Sequence, residues 1–493
     1  MPCGAVRTLR IAAISVAVAI VVAACASGSG PAVSLGRART GSIEWEPCGS
    51  LQCASLSVPL DYAHPLGRHI TLALARRPAS GRRTGVLLTN PGGPGGSGVE
   101  FLQSANQVFP AEIRDSFDIV SWDPRGVGGD APVRCVDDLD GFYGVNLDPR
   151  TPAQVAEVVR VDQQFVAACK ARSGDLLPFM STAYGVRDMD AIRAALGETA
   201  ISYVGFSYGT YLGARYADEF PAHVRAMVLD GAVDPALSSA ATTEQQAQGF
   251  DQALDAFFNH CRVQGCGFAE GGDPQRAYDD LRAQITAEPQ TAKVNGEMRT
   301  LRPGEFDLGV ASALYEGQHG WDDLASALNG AARGSPAGLL AESDAYTGRT
   351  TGGSYSTETA ALYATSCLDG PSPTTVAGVA SLAAAATRAA PRFGASTAWL
   401  GLPCTFWPVP AQGHPEVIRA AGAPPIVVVG TTGDPATPYA WAQGLARELR
   451  AGHLLTAVGE THASYGRGDS CVNGTVDRYL LQLAVPPPAA RCG

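Results

Sequence analysis

The chain has 493 residues, of which 45% are hydrophobic, and a formal net charge of −11. That length buries one large core and leaves room for a second unit. The acidic balance and the lack of any basic block exclude a nucleic-acid binder. Its 12 cysteines include no C-x-x-C pair, and there is no H-E-x-x-H, so no metal or other cofactor is expected.

Arg7 and Arg10 precede an apolar run, residues 11–22, that is too short for a comfortable membrane span. The run ends in Val22-Ala23-Ala24-Cys25, which resembles the bacterial lipobox. On this reading residues 1–24 are a lipoprotein signal peptide, Cys25 carries the lipid, and residues 25–44 form a flexible tether. The alternative is an ordinary signal peptide cleaved nearby, with Cys25 incidental. The membrane is then touched through the lipid alone, and the rest is an exported domain facing the cell envelope.

Export agrees with the remaining ten cysteines, an even set that reads as disulfides in an oxidising compartment. Cys48/Cys53 and Cys261/Cys266 are natural local pairs, and Cys471/Cys492 would pin the C-terminal tail. Cys135/Cys169 and Cys367/Cys404 are what is left over.

After the tether, residues 70–74 alternate and residues 85–89 form a buried-looking run; both read as strands. The second leads into Asn90-Pro91-Gly92-Gly93-Pro94-Gly95-Gly96-Ser97-Gly98, a loop whose backbone can approach a ligand closely. Residues 117–122 are the next strand. It ends in Asp123-Pro124-Arg125-Gly126, where a buried Asp123–Arg125 pair is expected to fix the loop. Residues 182–196 have helical spacing with Gly197 placed to stop them.

Next comes Gly205-Phe206-Ser207-Tyr208-Gly209, between an apolar run (201–204) and a helical stretch (211–217). A G-x-S-x-G in that context is a nucleophile elbow: the glycines admit a tight turn, and the turn lifts the serine hydroxyl clear of the sheet. The helix N-terminus behind it offers free N–H groups to a developing oxyanion. Residues 224–230 are another strand. Strands alternating with helices imply a mainly parallel sheet with helices on both faces, and the nucleophile elbow on such a sheet is the mark of an α/β-hydrolase fold. The rhythm stops from about 235 to 403 and returns at 425–430 and 454–458, so a mostly helical cap is inserted between strands. The expected division is a core over 45–234, a cap over 235–403, and the rest of the core over 404–493.

A serine hydroxyl needs a histidine base and a carboxylate to orient that base. In this fold the order along the chain is Ser, acid, His. Asp434, in Gly433-Asp434-Pro435, follows the strand at 425–430, and His462 follows the strand at 454–458. Both therefore fall on the rim that carries Ser207. Asp230, also at a strand end, is the competing acid. His453, His223, His414, His319, His260, His64 and His69 lie at positions that do not fit a base. Gly93, in the glycine loop, is the expected second backbone donor to the oxyanion.

Residues 90–98, Trp122-Asp123-Pro124-Arg125-Gly126, the serine motif through Tyr211, Leu229-Asp230-Gly231 and Gly433-Asp434-Pro435-Ala436-Thr437-Pro438 together resemble the exported tripeptidyl aminopeptidases of actinobacteria. These belong with the proline iminopeptidase group of α/β-hydrolases. The resemblance runs from Trp45 to Cys492. It implies a Ser207, Asp434, His462 triad, with Gly93 and Tyr208 supplying backbone N–H groups to the oxyanion, and a peptidase that releases short peptides from free N-termini. Mycobacterial members are cell-envelope lipoproteins, which suits Cys25. Reading a protonated amine calls for carboxylates, and Asp369, Glu316 and Glu358 in the cap are the candidates, Asp369 first.

A serine esterase or lipase for envelope acyl esters would use the same residues, since a fold does not fix a substrate. A non-catalytic lipoprotein on a hydrolase scaffold is the reading from another class. The substrate partner is a peptide or protein, no nucleic acid is bound, and a monomer is expected.

Overall fold

The computed structural model describes residues 43–269 and 271–493. The expected signal peptide, Cys25 and most of the tether lie outside the described residues. Among those described, no helix is long and apolar enough to cross a membrane.

The strands are β1 (Glu46–Cys48), β2 (Leu51–Pro59), β3 (His69–Arg77), β4 (Gly85–Asn90), β5 (Phe117–Trp122), β6 (Ile201–Phe206), β7 (Val224–Asp230), β8 (Gln290–Val294), β9 (Glu297–Leu301), β10 (Ile426–Thr431), β11 (Gly452–Ala457) and β12 (Ala490–Cys492). Ten of them form one sheet in the order β1-β2-β3-β5-β4-β6-β7-β10-β11-β12. Pairing is antiparallel from β1 to β5 and parallel from β5 through β4 to β12. Sequence explains the division. Every residue of β4, β5, β6 and β10 is buried, as continuous apolar runs covered on both faces require. β2 and β3 have partly exposed residues interspersed with buried ones and lie at the sheet's open end.

One face packs Leu72, Val120, Tyr203 and Leu229 against Met189, Leu212 and Tyr216. The other packs Ile119, Val204, Val228 and Val427 against Leu102, Phe109 and Tyr479. The helix expected over 182–196 is Thr182–Ala195, and it stops at Gly197, whose φ of +74° favours glycine.

Between β7 and β10 lies the insertion, largely helical with the β8–β9 hairpin inside it. It has a core of its own, built on Phe257, Phe258, Tyr278, Phe306 and Trp321. It is not wholly detached, however. Tyr363, Cys367 and Leu368 of helix Glu358–Asp369 belong to the core under the sheet. Disulfides join Cys48–Cys53, Cys135–Cys169, Cys261–Cys266, Cys367–Cys404 and Cys471–Cys492, the pairs expected.

The expected Asp123–Arg125 pair is a correction. Both residues are buried, but Arg125 reaches across to Asp188 with two contacts of 2.6 and 2.7 Å. Asp123 instead accepts from Ser97 Oγ (2.6 Å) and the Val99 N–H (3.1 Å), which fastens the far end of the glycine loop. Two residues apart and after a strand end, the side chains leave in different directions and find partners on different elements.

Candidate active site

Ser207 sits between β6 and helix Tyr208–Glu219 at φ +55°, ψ −125°, a conformation that a residue with a Cβ rarely adopts. The flanking glycines are required by contact. A Cβ on Gly205 would lie 2.3 Å from the Gly209 carbonyl oxygen, and one on Gly209 would lie 2.7 Å from the Asn90 carbonyl oxygen. The corner is held by the Ser207 N–H, which donates to the Asp230 carbonyl at 2.9 Å.

The glycine loop after β4 closes against this corner. A Cβ on Gly92 would meet Phe206 O at 2.7 Å and Ser207 Cβ at 2.9 Å. The Gly92 N–H is already taken by Asn90 Oδ1 at 3.0 Å. The next N–H, that of Gly93, has no acceptor among the described residues, and Gly93 is exposed. The Tyr208 N–H opens a helix, where the first donors have no intrahelical acceptor.

Asp434 and His462 lie on the loops after β10 and β11. His462 Nδ1 is 2.9 and 3.0 Å from the two Asp434 oxygens. An imidazole facing a carboxylate must carry its proton on that nitrogen, which leaves Nε2 as the basic one. Asp434 is itself fixed by four donors: the N–H groups of Ala436, Thr437 and Ala463, and the Thr437 hydroxyl, at 2.8 to 3.2 Å. Asp230, the competing acid, does not reach the imidazole ring by hydrogen bond. Its Oδ2 accepts from the N–H groups of Ser464 and Tyr465 at 2.9 and 2.7 Å. The Ser207 hydroxyl makes no hydrogen bond to His462 here; such contacts commonly tighten only when substrate is bound.

The three amine candidates separate. Asp369 takes the Thr182 N–H (2.7 Å) and hydroxyl (2.6 Å), capping helix Thr182–Ala195 behind the Tyr208 ring. Burial pushes its carboxyl up to about 6, against the pull of those bonds. Glu316 is paired with Arg467 at 2.8 Å. Glu358 is half-buried and has no cation in ion-pair range among the described residues. Burial raises its carboxyl, and the Glu100 charge adds to the rise. Glu358 opens a helix whose first turn lies on the glycine loop: a Cβ on Gly95 would be 2.6 Å from Glu358 O.

Two participants were not foreseen from sequence. Tyr315, from the insertion, accepts the His462 N–H on its carbonyl at 3.0 Å and sets its ring edge-on to the imidazole. Glu100, one turn into the helix after the glycine loop, had no motif to mark it.

Fold and site define an α/β-hydrolase with a serine at its nucleophile elbow. Comparison with known proteins then gives the family. A family model described as TAP-like protein matches residues 390–492. The chain is 36% identical to serine protease Hip1 of Mycobacterium tuberculosis, with 93% of each chain covered. It is 39% identical to carboxylesterase B of the same species, covering 90% of this chain and 86% of that one. It is 32% identical to tripeptidyl aminopeptidase of Streptomyces coelicolor, covering 91% and 86%. The chain belongs to this family of TAP-like α/β-hydrolases and is a serine hydrolase.

Proposed function

We propose that this chain is an exported serine aminopeptidase, anchored by a lipid on Cys25, that releases short peptides (tripeptides) from free N-termini. One observation carries the catalytic part: His462 Nδ1 is locked to Asp434, on the rim where Ser207 occupies its strained corner. His462 Nε2 takes the Ser207 proton as Oγ attacks the scissile carbonyl, and Asp434 stabilises the imidazolium that forms. The carbonyl oxygen becomes an anion held by the Gly93 and Tyr208 N–H groups. His462 then protonates the leaving amine, and water reverses the sequence to free the acyl peptide. For the substrate amine, Glu358 with Glu100 beside it is favoured over Asp369 and Glu316, because it alone of the three lacks a bonded partner.

A relative called carboxylesterase B, at 39% identity, supports a second reading in which the same triad cleaves esters. The deciding experiment is hydrolysis of a tripeptide arylamide, free and N-acetylated, beside a short acyl ester, with Ser207→Ala as blank. Cleavage of the free amide alone establishes the aminopeptidase. Cleavage of the ester alone establishes the second reading, and activity retained in Ser207→Ala overturns the triad.

A further inference from the structure

Three strands end at the rim and deliver Ser207, Asp434 and His462, but one residue that belongs to none of these roles touches two of their loops. Asp230 closes β7, next to β6 on one side and β10 on the other. Its main-chain carbonyl receives the Ser207 N–H. Its side chain, fully buried, receives the Ser464 and Tyr465 N–H groups, two and three residues past His462. The next residue, Gly231, forms the floor of the imidazole: a Cβ there would meet His462 Cε1 at 3.2 Å. Only two short spans of chain separate the three anchor points from the Ser207 hydroxyl and the His462 ring.

We propose that Asp230 is a positioning residue of this active site, the single joint that sets the nucleophile corner in register with the histidine loop. The inference rests on the serine-hydrolase reading of Ser207 and His462. Three features bear on the role of its carboxylate. Both N–H bonds fall on one oxygen, and Asp230 Oδ1 is buried without a partner. Its titratable neighbours include those of the reaction itself, Asp434 and His462, with Tyr465 beside them. Burial, offset in part by the two N–H bonds and reinforced by the Asp434 charge, puts its carboxyl at about 6. Its negative form therefore lies within electrostatic reach of His462 as well as holding the loop.

The geometry separates these two effects by substitution. In Asp230→Asn the amide oxygen can still accept both N–H groups, and the NH₂ replaces the oxygen that has no partner, but the charge is gone. In Asp230→Ala the loop loses its acceptor and two buried N–H groups are left unpaired. The experiment is the rate of Ser207 labelling by a fluorophosphonate between pH 5 and 9, for the parent, both variants and Ser207→Ala. Asp230→Asn is expected to label within about five-fold of the parent at pH 8, with the acid limb displaced, because a carboxyl that itself titrates at about 6 beside the catalytic groups is gone. Asp230→Ala is expected to label at least about ten-fold more slowly, since misplacing reacting groups by a fraction of an ångström costs this much. An acid limb that stays put in Asp230→Asn, or Asp230→Ala within ten-fold of the parent, overturns the proposal. Should Asp230→Ala not fold, the position of the Asp230→Asn limb decides alone. Labelling of Ser207→Ala at the parent rate would overturn the serine-hydrolase reading instead, and so tells the two failures apart.

Discussion

The N–H of His462 donates to the carbonyl of Tyr315 at 3.0 Å, and the Tyr315 ring meets the imidazole edge-on with centroids 5.0 Å apart. Tyr315 ends helix Pro303–Tyr315 of the insertion, whereas His462 belongs to the sheet domain. The same carbonyl also accepts the Thr461 hydroxyl at 3.1 Å. The insertion therefore holds the loop that presents His462. A segment that only opened and closed over substrate would have no reason to make these bonds.

Gly317 tests that coupling. It turns the chain away from the helix at φ +57°, and a Cβ there would lie 2.1 Å from the Glu460 carbonyl oxygen. Gly317→Ala must push the insertion off the histidine loop, because backbone stands on both sides. We expect kcat to fall by about ten- to a hundred-fold, as small displacements of reacting groups do, with the far-ultraviolet circular dichroism unchanged. An unaltered kcat would mean that the insertion does not support His462.

The parts legible from sequence were those whose local rule is strict. Ser207 announced itself because only glycines fit at 205 and 209, and β4, β5 and β6 because full burial writes a largely apolar run. Strand β2, Leu-Gln-Cys-Ala-Ser-Leu-Ser-Val-Pro, went unread since alanine and serine carry little strand signal and its pairing with β3 is a tertiary fact. Asp123 and Arg125 were each read as buried, rightly, but sequence neighbourhood said nothing about Asp188, 63 residues away. Sequence put Asp369 ahead of Glu358, with nothing in it to show the partners of either. The two are separated by Thr182, whose hydroxyl and N–H occupy Asp369 and leave Glu358 open.

Glu358 gives a prediction specific to the amine. Glu358→Gln keeps the shape and removes the charge, so it is expected to raise KM for a free tripeptide arylamide by about ten- to a hundred-fold, the worth of one charge-assisted hydrogen bond. Hydrolysis of an acyl ester, which has no amine, is expected to change less than about two-fold. Equal losses on both substrates would show that Glu358 supports the glycine loop and does not read the amine.

The disulfides predict a response to reduction. Cys135–Cys169 and Cys367–Cys404 close separations of 34 and 37 residues, and each is worth about 4 kcal/mol if it acts mainly on the unfolded chain. The second also fastens helix Glu358–Asp369, and with it Glu358, to the chain that returns to the sheet. We expect thermal unfolding to move several degrees down in dithiothreitol. Identical melting curves with and without reductant would refute this.

Asp162 predicts how stability depends on pH. It lies on helix Pro152–Ser173 with 3% of its surface exposed, facing Phe142, Tyr143, Tyr363 and Trp399, and its Oδ2 has no partner. The Tyr363 hydroxyl that could have served it donates instead to the Leu400 carbonyl at 3.0 Å. Burial pushes the Asp162 carboxyl up to about 8, whereas in an unfolded chain it titrates near ~3.9. Below the lower value both states hold the proton and the residue is neutral toward stability. Between the two, the unfolded chain has released the proton that the folded chain still binds, so stability falls steadily as pH rises. The loss levels off above about 8, at an upper bound on the order of 5 kcal/mol. Asp162→Asn removes the titration without changing the shape. The variant's melting temperature should therefore exceed the parent's by several degrees more at pH 8 than at pH 5. A gap of equal size at the two pH values would mean that Asp162 is ionised and satisfied in the folded protein.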